Sequence, residues 1–198
     1  MRFVIAITGA SGALYAVRLL KAGLELGLDL DVVASDYGKR LLIEECGLNL
    51  KTASLESWLT ERYGEADYRG SVAVHSVHDL GAVPASGSVH WDGMAVVPCS
   101  MKTLSGIAHG ASTNLIERAA DVTLKEGRKL VLVPRETPLN RIHLENMSRA
   151  ADAGASICPA MPAFYQKPET FDDLADFVAG RVLALLGVRN PLVEPWQG

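Results

Sequence analysis

The chain has 198 residues, 48% of them hydrophobic, and a formal net charge of −4. That length suits one domain, residues 1–198, with a sizeable core. A slightly acidic chain without a basic block is a poor partner for nucleic acid, and no apolar run approaches the roughly 20 residues of a membrane helix. The sequence enters a strand pattern at once, without a secretory leader. Its cysteines, Cys46, Cys99 and Cys158, are scattered and form no CxxC pair. Both features predict free thiols in a reducing cytoplasm.

Phe3 to Ile7 is an unbroken apolar run, which predicts a strand buried on both faces. Thr8-Gly9-Ala10-Ser11-Gly12 follows, and then Leu14, Val17, Leu20, Leu24 and Leu28 recur at helical steps. Strand, glycine turn and helix start make a phosphate-binding layout. The first helical N–H groups have no carbonyl partner, the glycines admit an anion close to the backbone, and the Thr8 and Ser11 hydroxyls can add bonds. The Gly-x-x-Gly spacing differs from that of dinucleotide folds, so the turn points to a phosphorylated ligand without choosing one. A purely structural tight turn has the same spacing.

Leu30 to Ala34 is the second strand, ending in Ser35-Asp36. Asp36 suits a ribose, and Ser35 suits a mononucleotide phosphate or a flavin edge. Tyr37 to Glu45 reads as a helix with Leu41 and Leu42 inward and two adjacent carboxylates, Glu44 and Glu45. Both can be solvated, but their place beyond a strand end keeps a site role open. Leu55 to Tyr63 is a polar helix and Val72 to Val74 a short strand. His75 and His78, three apart, are a thin basis for a metal site. The loop from His78 to Trp91 carries Ser86-Gly87-Ser88, which fits an anion contact or a plain turn.

Met94 to Pro98 is another buried strand, and Cys99-Ser100-Met101-Lys102-Thr103-Leu104-Ser105-Gly106 forms a second turn, lined with hydroxyls and one lysine. Two such turns belong at one edge of a parallel sheet, where ligands sit. Asn114-x-x-Glu117 predicts a capping box for a helix that ends near Lys125-Glu126-Gly127. Leu130 to Val133 is a strand followed by Pro134-Arg135-Glu136-Thr137-Pro138. Its prolines fix the directions of the charged pair. Arg135 and Glu136 form a structural ion pair in one reading. In the other they are a phosphate-holding guanidinium beside an acid/base carboxylate.

Arg141 to Ala153 is a helix with Leu144, Met147 and Ala151 inward, and Ala155 to Cys158 is the last core strand. A stiff apolar loop ending in Phe164-Tyr165 follows. Thr170 caps a final helix with Leu174, Phe177, Val178, Val182 and Leu185 along one side, and Arg181 shares it. The tail, with Trp196, is expected to dock on the body or on a neighbouring subunit. This alternation of strands and helices predicts an α/β three-layer sandwich with a mostly parallel, doubly wound sheet.

Taken together, Thr-Gly-Ala-Ser-Gly at 8–12, Pro-Cys-Ser-Met-Lys-Thr-Leu-Ser-Gly at 98–106, Val-Pro-Arg-Glu-Thr-Pro at 133–138 and Pro-Ala-Phe-Tyr-Gln-Lys-Pro at 162–168 resemble the UbiX-type flavin prenyltransferases. So do Asn-Leu-Ile-Glu-Arg-Ala-Ala-Asp-Val at 114–122 and the closing Pro-Trp. The resemblance implies a flavodoxin-like, Rossmann-type fold assembled into a homo-oligomer, a dodecamer. It implies transfer of a dimethylallyl group from dimethylallyl phosphate to N5 and C6 of reduced FMN, without a metal. The product is the prenylated FMN used by UbiD-type decarboxylases, which act in ubiquinone synthesis and on aromatic acids.

By the same resemblance Gly9, Ala10, Ser11, Ser35, Ser100, Met101, Lys102, Thr103 and Arg135 contact FMN. Lys125, Arg135, Tyr165 and Arg181 hold the prenyl phosphate, some of them from a neighbouring subunit. Ser11, Glu45, Glu136 and Trp196 lie at the reacting centre. Glu45-Cys46-Gly47 stands where the family has Glu-Thr-Asp. Two other readings share the fold. One is an FMN-dependent cysteine decarboxylase, whose histidine base after the second strand is missing from Ser35-Asp36-Tyr37-Gly38-Lys39. The other is a non-enzymatic flavin carrier, which has no need of Lys125, Tyr165 and Arg181 together.

Overall fold

Six parallel strands run in the order β3-β2-β1-β4-β5-β6. They are β1 (Arg2–Ile7), β2 (Asp29–Ala34), β3 (Ser71–Ser76), β4 (Gly93–Cys99), β5 (Lys129–Pro134) and β6 (Ser156–Ile157). The helices are α1 (Ala13–Glu25), α2 (Asp36–Cys46), α3 (Leu55–Tyr63), α4 (Met101–Ala108), α5 (Leu115–Lys125), α6 (Arg141–Asp152) and α7 (Phe171–Leu186). The computed structural model describes residues 1–52 and 54–193. Sequence positions 194–198, with Trp196, lie outside them.

In β1, β4 and β5 alternate residues feed two cores, which is why these strands read as continuous apolar runs. Phe3, Ile5, Val32 and Val131 pack with Val17 and Leu20 of α1 and with Val178 and Val182 of α7. Val4, Ala6, Val96 and Leu132 pack with Leu115, Ala119 and Val122 of α5. The strand order turns back on itself between β1 and β4, the place where a doubly wound sheet opens a crevice.

Several helical stripes differ from expectation. On α6 the inward residues are Asn146 and Ala150, while Leu144 is 53% exposed and Ala151 is also exposed. α6 covers a strand of only two residues and leans on α4, so small side chains fit beneath it. On α7 the buried set is Ala175, Val178, Ala179, Val182, Leu183 and Leu186, about one position round from the expected stripe; Leu174, Phe177 and Leu185 are half-buried. β6 is two residues long rather than four, because pairing with β5 ends at Leu132–Ile157. The α5 cap is half a capping box. Asn114 Oδ1 accepts from the amides of Ile116 and Glu117 (3.0 and 3.1 Å), but Glu117 turns to Thr113, accepting from its amide at 2.9 Å and its hydroxyl at 2.5 Å.

The cysteines are free thiols. Burial pushes Cys46 up to about 11 and Cys99 up to about 12, out of the range of reactive thiolates.

His75 and His78 go to different carboxylates. His75 Nε2 lies 2.7 Å from Asp31, which also takes Arg2 Nε at 2.6 Å and Arg2 Nη2 at 3.0 Å. Burial alone would push the Asp31 carboxyl up. The bonds from Arg2 and His75 outweigh it and hold the group below its usual range. Its contribution to stability is therefore complete above the ordinary carboxylate pKa and is lost as pH falls through the depressed one. Asp31→Asn is expected to cost about 2–3 kcal/mol at neutral pH, because it leaves a guanidinium without its buried counter-charge. Urea unfolding at pH 7 measures that loss.

Candidate functional site

The crevice between β1 and β4 has a built floor. The two strands pair through Ala6 and Val96. Beyond them, the Thr8 amide donates to the Pro98 carbonyl at 3.2 Å and its hydroxyl donates to the same carbonyl at 2.8 Å. The Thr8 hydroxyl also accepts from the Ser100 amide at 2.7 Å. Thr8 is buried, so its hydroxyl ties the two turns together and does not reach a ligand, contrary to expectation.

The first turn is drawn tight. A side chain at Gly9 would place its Cβ 2.6 Å from Tyr37 Cβ, and Gly12 sits at φ 110°, a left-handed conformation that favours glycine. The first amides of α1 were expected to face a phosphate. Instead, Glu45 accepts from the amides of Gly12 (2.9 Å) and Ala13 (2.8 Å). A carboxylate suits this position, where two N–H groups converge at the positive end of the helix dipole. The departure at 46–47 helps to hold it there. Gly47, at φ 74°, closes α2 in a left-handed cap, and Arg62 Nη1 donates to the Cys46 carbonyl at 3.3 Å. Glu44 pairs with Arg40 at 2.7 Å on the solvated side.

Ser35 and Ser100 are N-caps of the helices that leave this edge. Ser35 accepts from the Gly38 amide at 3.0 Å, and Ser100 accepts from the Thr103 amide at 3.3 Å. Met101 opens α4, with Lys102 exposed beside it. From the β5 end, Arg135 Nε donates to the Ser11 carbonyl at 2.9 Å, locking the proline-flanked loop to the first turn. Arg135 and Glu136 make no ion pair; Glu136 accepts from the Thr137 amide at 3.0 Å. Thus Gly9, Ala10, Ser11, Ser35, Glu45, the 100–103 turn and Arg135 share one sheet edge. That edge has the lining a phosphorylated flavin needs: hydroxyl caps, a close-approach glycine and a guanidinium.

The loop carrying Tyr165 leaves the same edge, since the Ala160 amide donates to the Pro134 carbonyl at 3.0 Å. Tyr165 meets Phe177 edge-to-face, with ring centroids 6.0 Å apart. Phe177 and Arg181 are four apart on α7 and so share a face. Arg181 lies close enough to Cys158 to oppose the rise that burial causes in its thiol pKa. The Asn190 side chain donates to the Gly180 carbonyl at 3.1 Å, so the start of the tail lies on α7 beside Arg181.

Lys125 is not in this group. It ends α5, pairs with Glu126 and lies four residues before the first residue of β5, at the opposite edge of the sheet. Sequence reading also missed the Thr8 bridge, the Glu45 clasp and the contact of His78 with Asp36, 3.2 Å long, from the end of β3. The Gly-x-x-Gly spacing was a signal for a tight turn, but nothing local signals a carboxylate 33 residues away.

The Flavoprotein family model matches residues 1–183. The flavin prenyltransferase UbiX of Halalkalibacterium halodurans is 48% identical over 194 residues, 98% of this chain and 92% of that protein. The chain belongs to the UbiX family of flavin prenyltransferases. The solved structure of AnUbiX in complex with FMN and dimethylallyl pyrophosphate superposes with a TM-score of 0.87 at 42% identity, covering 100% of this chain and 97% of the other. A dodecameric FMN-dependent UbiX-like decarboxylase from Escherichia coli gives a TM-score of 0.86 at 43% identity, covering all of both chains. PPC decarboxylase, at 16% identity, shares the fold alone. Among the described residues there is no cluster able to hold a metal, and no helix long and apolar enough to cross a membrane.

Proposed function

We propose that this UbiX-family chain joins the dimethylallyl group of dimethylallyl phosphate to N5 and then C6 of reduced FMN, closing a fourth ring. The observation that carries the reading is the convergence of two polar clusters on one sheet edge. One comprises Gly9–Ser11, Ser35, Ser100–Thr103 and Arg135. The other comprises Tyr165, with Phe177 packed against it, and Arg181, near Cys158. Reduced FMN is bound as a substrate and supplies the nucleophilic atoms. The donor's C–O bond breaks with its electron pair going to the phosphate. Arg135 and Arg181 face that growing negative charge, and cations of this kind serve without a metal.

Tyr165 shields the allyl group, because water would quench a developing allyl cation and aromatic faces favour it; Trp196, the other aromatic the family resemblance names, lies outside the described residues. Glu136 or the departing phosphate takes the proton lost from N5; a proton returned to the remaining alkene makes the tertiary cation that closes on C6, and C6 then loses its own proton to the same base. Ser11 and Glu45 stand beside the reacting centre, Glu45 also fixing the turn that carries Ser11. Lys125 can serve this edge only from another copy, which fits a homo-oligomer, a dodecamer. Exposed Met161, Phe164 and Phe171 give such a neighbour an apolar surface to cover. Chain 1–198 works as one domain in the cytoplasm and passes its product to a UbiD-type decarboxylase.

Anaerobic mixing with reduced FMN and dimethylallyl phosphate in a chelator tests the reading. Inorganic phosphate is expected to appear in step with loss of free flavin, and no phosphate release contradicts it. Phe177→Leu removes the ring behind Tyr165. It is expected to raise KM for the prenyl donor about three- to tenfold, the worth of one aromatic pair, with FMN binding unchanged. Initial rates at saturating flavin measure it.

A further inference from the structure

We infer that Thr8 is a positioning residue that sets the width of the crevice between the two ligand-binding turns. The inference rests on FMN being the occupant of that crevice. β1 and β4 flank the point where the strand order turns back, the place where a doubly wound sheet takes its ligand beyond the strand ends. Past Ala6 and Val96 the ladder keeps one backbone bond, from the Thr8 amide to the Pro98 carbonyl at 3.2 Å, and the Thr8 side chain extends it. The Thr8 hydroxyl donates to the Pro98 carbonyl at 2.8 Å and accepts from the Ser100 amide at 2.7 Å.

Both bonds are short, and Thr8 is 1% exposed, so water does not compete for them. Ser100 in turn caps α4 by accepting from Thr103 at 3.3 Å. On the other side, the Thr8 carbonyl accepts from Ala10 at 2.9 Å and shapes the first glycine turn. Beyond the Thr8 amide bond to Pro98, the Thr8 hydroxyl couples the 9–12 turn to the 100–103 turn through the Ser100 amide. Backbone bonds set the separation as far as Pro98, and the Ser100 amide at the cap is held by the Thr8 hydroxyl. Thr8 touches no ligand in this arrangement; it acts through Ser100 and the turn at Gly9.

Two variants separate the hydroxyl from its methyl neighbour. Thr8→Val keeps the volume and removes both bonds; Thr8→Ser keeps both bonds and removes a methyl. With FMN affinity read by quenching of flavin fluorescence, well below the melting temperature, Thr8→Val is expected to weaken binding at least about tenfold. Thr8→Ser is expected to stay within about threefold of the parent. A purely structural role predicts instead that Thr8→Val lowers the melting temperature and leaves affinity alone, and that result overturns the inference. So does a Thr8→Ser variant as weak as Thr8→Val.

Hydrogen exchange of the Ser100 amide in the unsubstituted, flavin-free protein gives a readout that needs no variant. Strong protection is expected, and exchange at the rate of an open loop overturns the inference even if Thr8→Val fails to fold. A parent protein that binds no FMN, yet protects Ser100, counts against the flavin reading and not against the bridge.

Discussion

Arg181→Ala is expected to lower turnover by about 10²–10³-fold while FMN remains bound, the range seen when one preorganised donor to a developing anion is removed. Arg181 stands on α7, one helical turn beyond Phe177, whose ring packs against Tyr165. It is exposed, and its charge acts on the Cys158 thiol, opposing the rise that burial causes there. Among the described residues none pairs with its guanidinium by a hydrogen bond or ion pair, and stability is expected to change by less than about 0.5 kcal/mol, as at ordinary surface sites. The FMN cluster lies at the ends of β1, β2, β4 and β5 and does not include Arg181. Single-turnover rates at saturating FMN, with flavin occupancy followed by absorbance, separate the two effects. A flavin carrier has no chemical step to lose, so unchanged chemistry with unchanged occupancy would favour that alternative.

Gly9→Ala is expected to damage both the fold and the chemistry. The added methyl would lie 2.6 Å from Tyr37 Cβ and 3.9 Å from Tyr37 Cα. Relief requires moving the first turn of α2, where Ser35 caps and Gly38 already sits so close that its own Cβ would lie 2.4 Å from the Ile7 carbonyl. α2 therefore has little room to retreat. Overpacking of this kind costs about 1–3 kcal/mol. A shift of the turn by about 1 Å costs about 10²-fold in rate when the turn orients a reacting group. Because the clash is with Cβ, Tyr37→Ala does not rescue Gly9→Ala, whereas Tyr37→Gly does so in part. Thermal unfolding and turnover of the two double variants check this.

Most of the scaffold was legible because strand burial and helix capping are local. Phe3–Ile7, Met94–Pro98 and Leu130–Val133 carry unbroken apolar runs that only a sheet covered on both faces explains. Asn114 and Thr170 cap helices where the sequence placed them, while Ser35, read as a ligand contact, also caps α2. The stripes of α6 and α7 were misread because a 3.6-residue period fixes spacing but not rotation. Leu144 keeps the period while facing outward, and Asn146 faces inward because α6 leans on α4 over a two-residue strand.

In the site, glycines and serines announced themselves through turn and cap chemistry. Their partners did not. Glu45 reaches Gly12 and Ala13, Thr8 reaches Pro98 and Ser100, and Arg135 reaches Ser11, all through tertiary folding across tens of residues. Polar groups read as ligand donors were thus already engaged within the chain. Lys125 shows the converse, a position named by family resemblance that a single chain keeps at the far edge of its sheet.

The mass of the flavin recovered after anaerobic incubation with reduced FMN and dimethylallyl phosphate tests the central claim most directly. A flavin heavier by one five-carbon unit, absent when the prenyl donor is omitted, is the predicted result. Unmodified FMN recovered from protein shown to have bound both compounds would contradict the account.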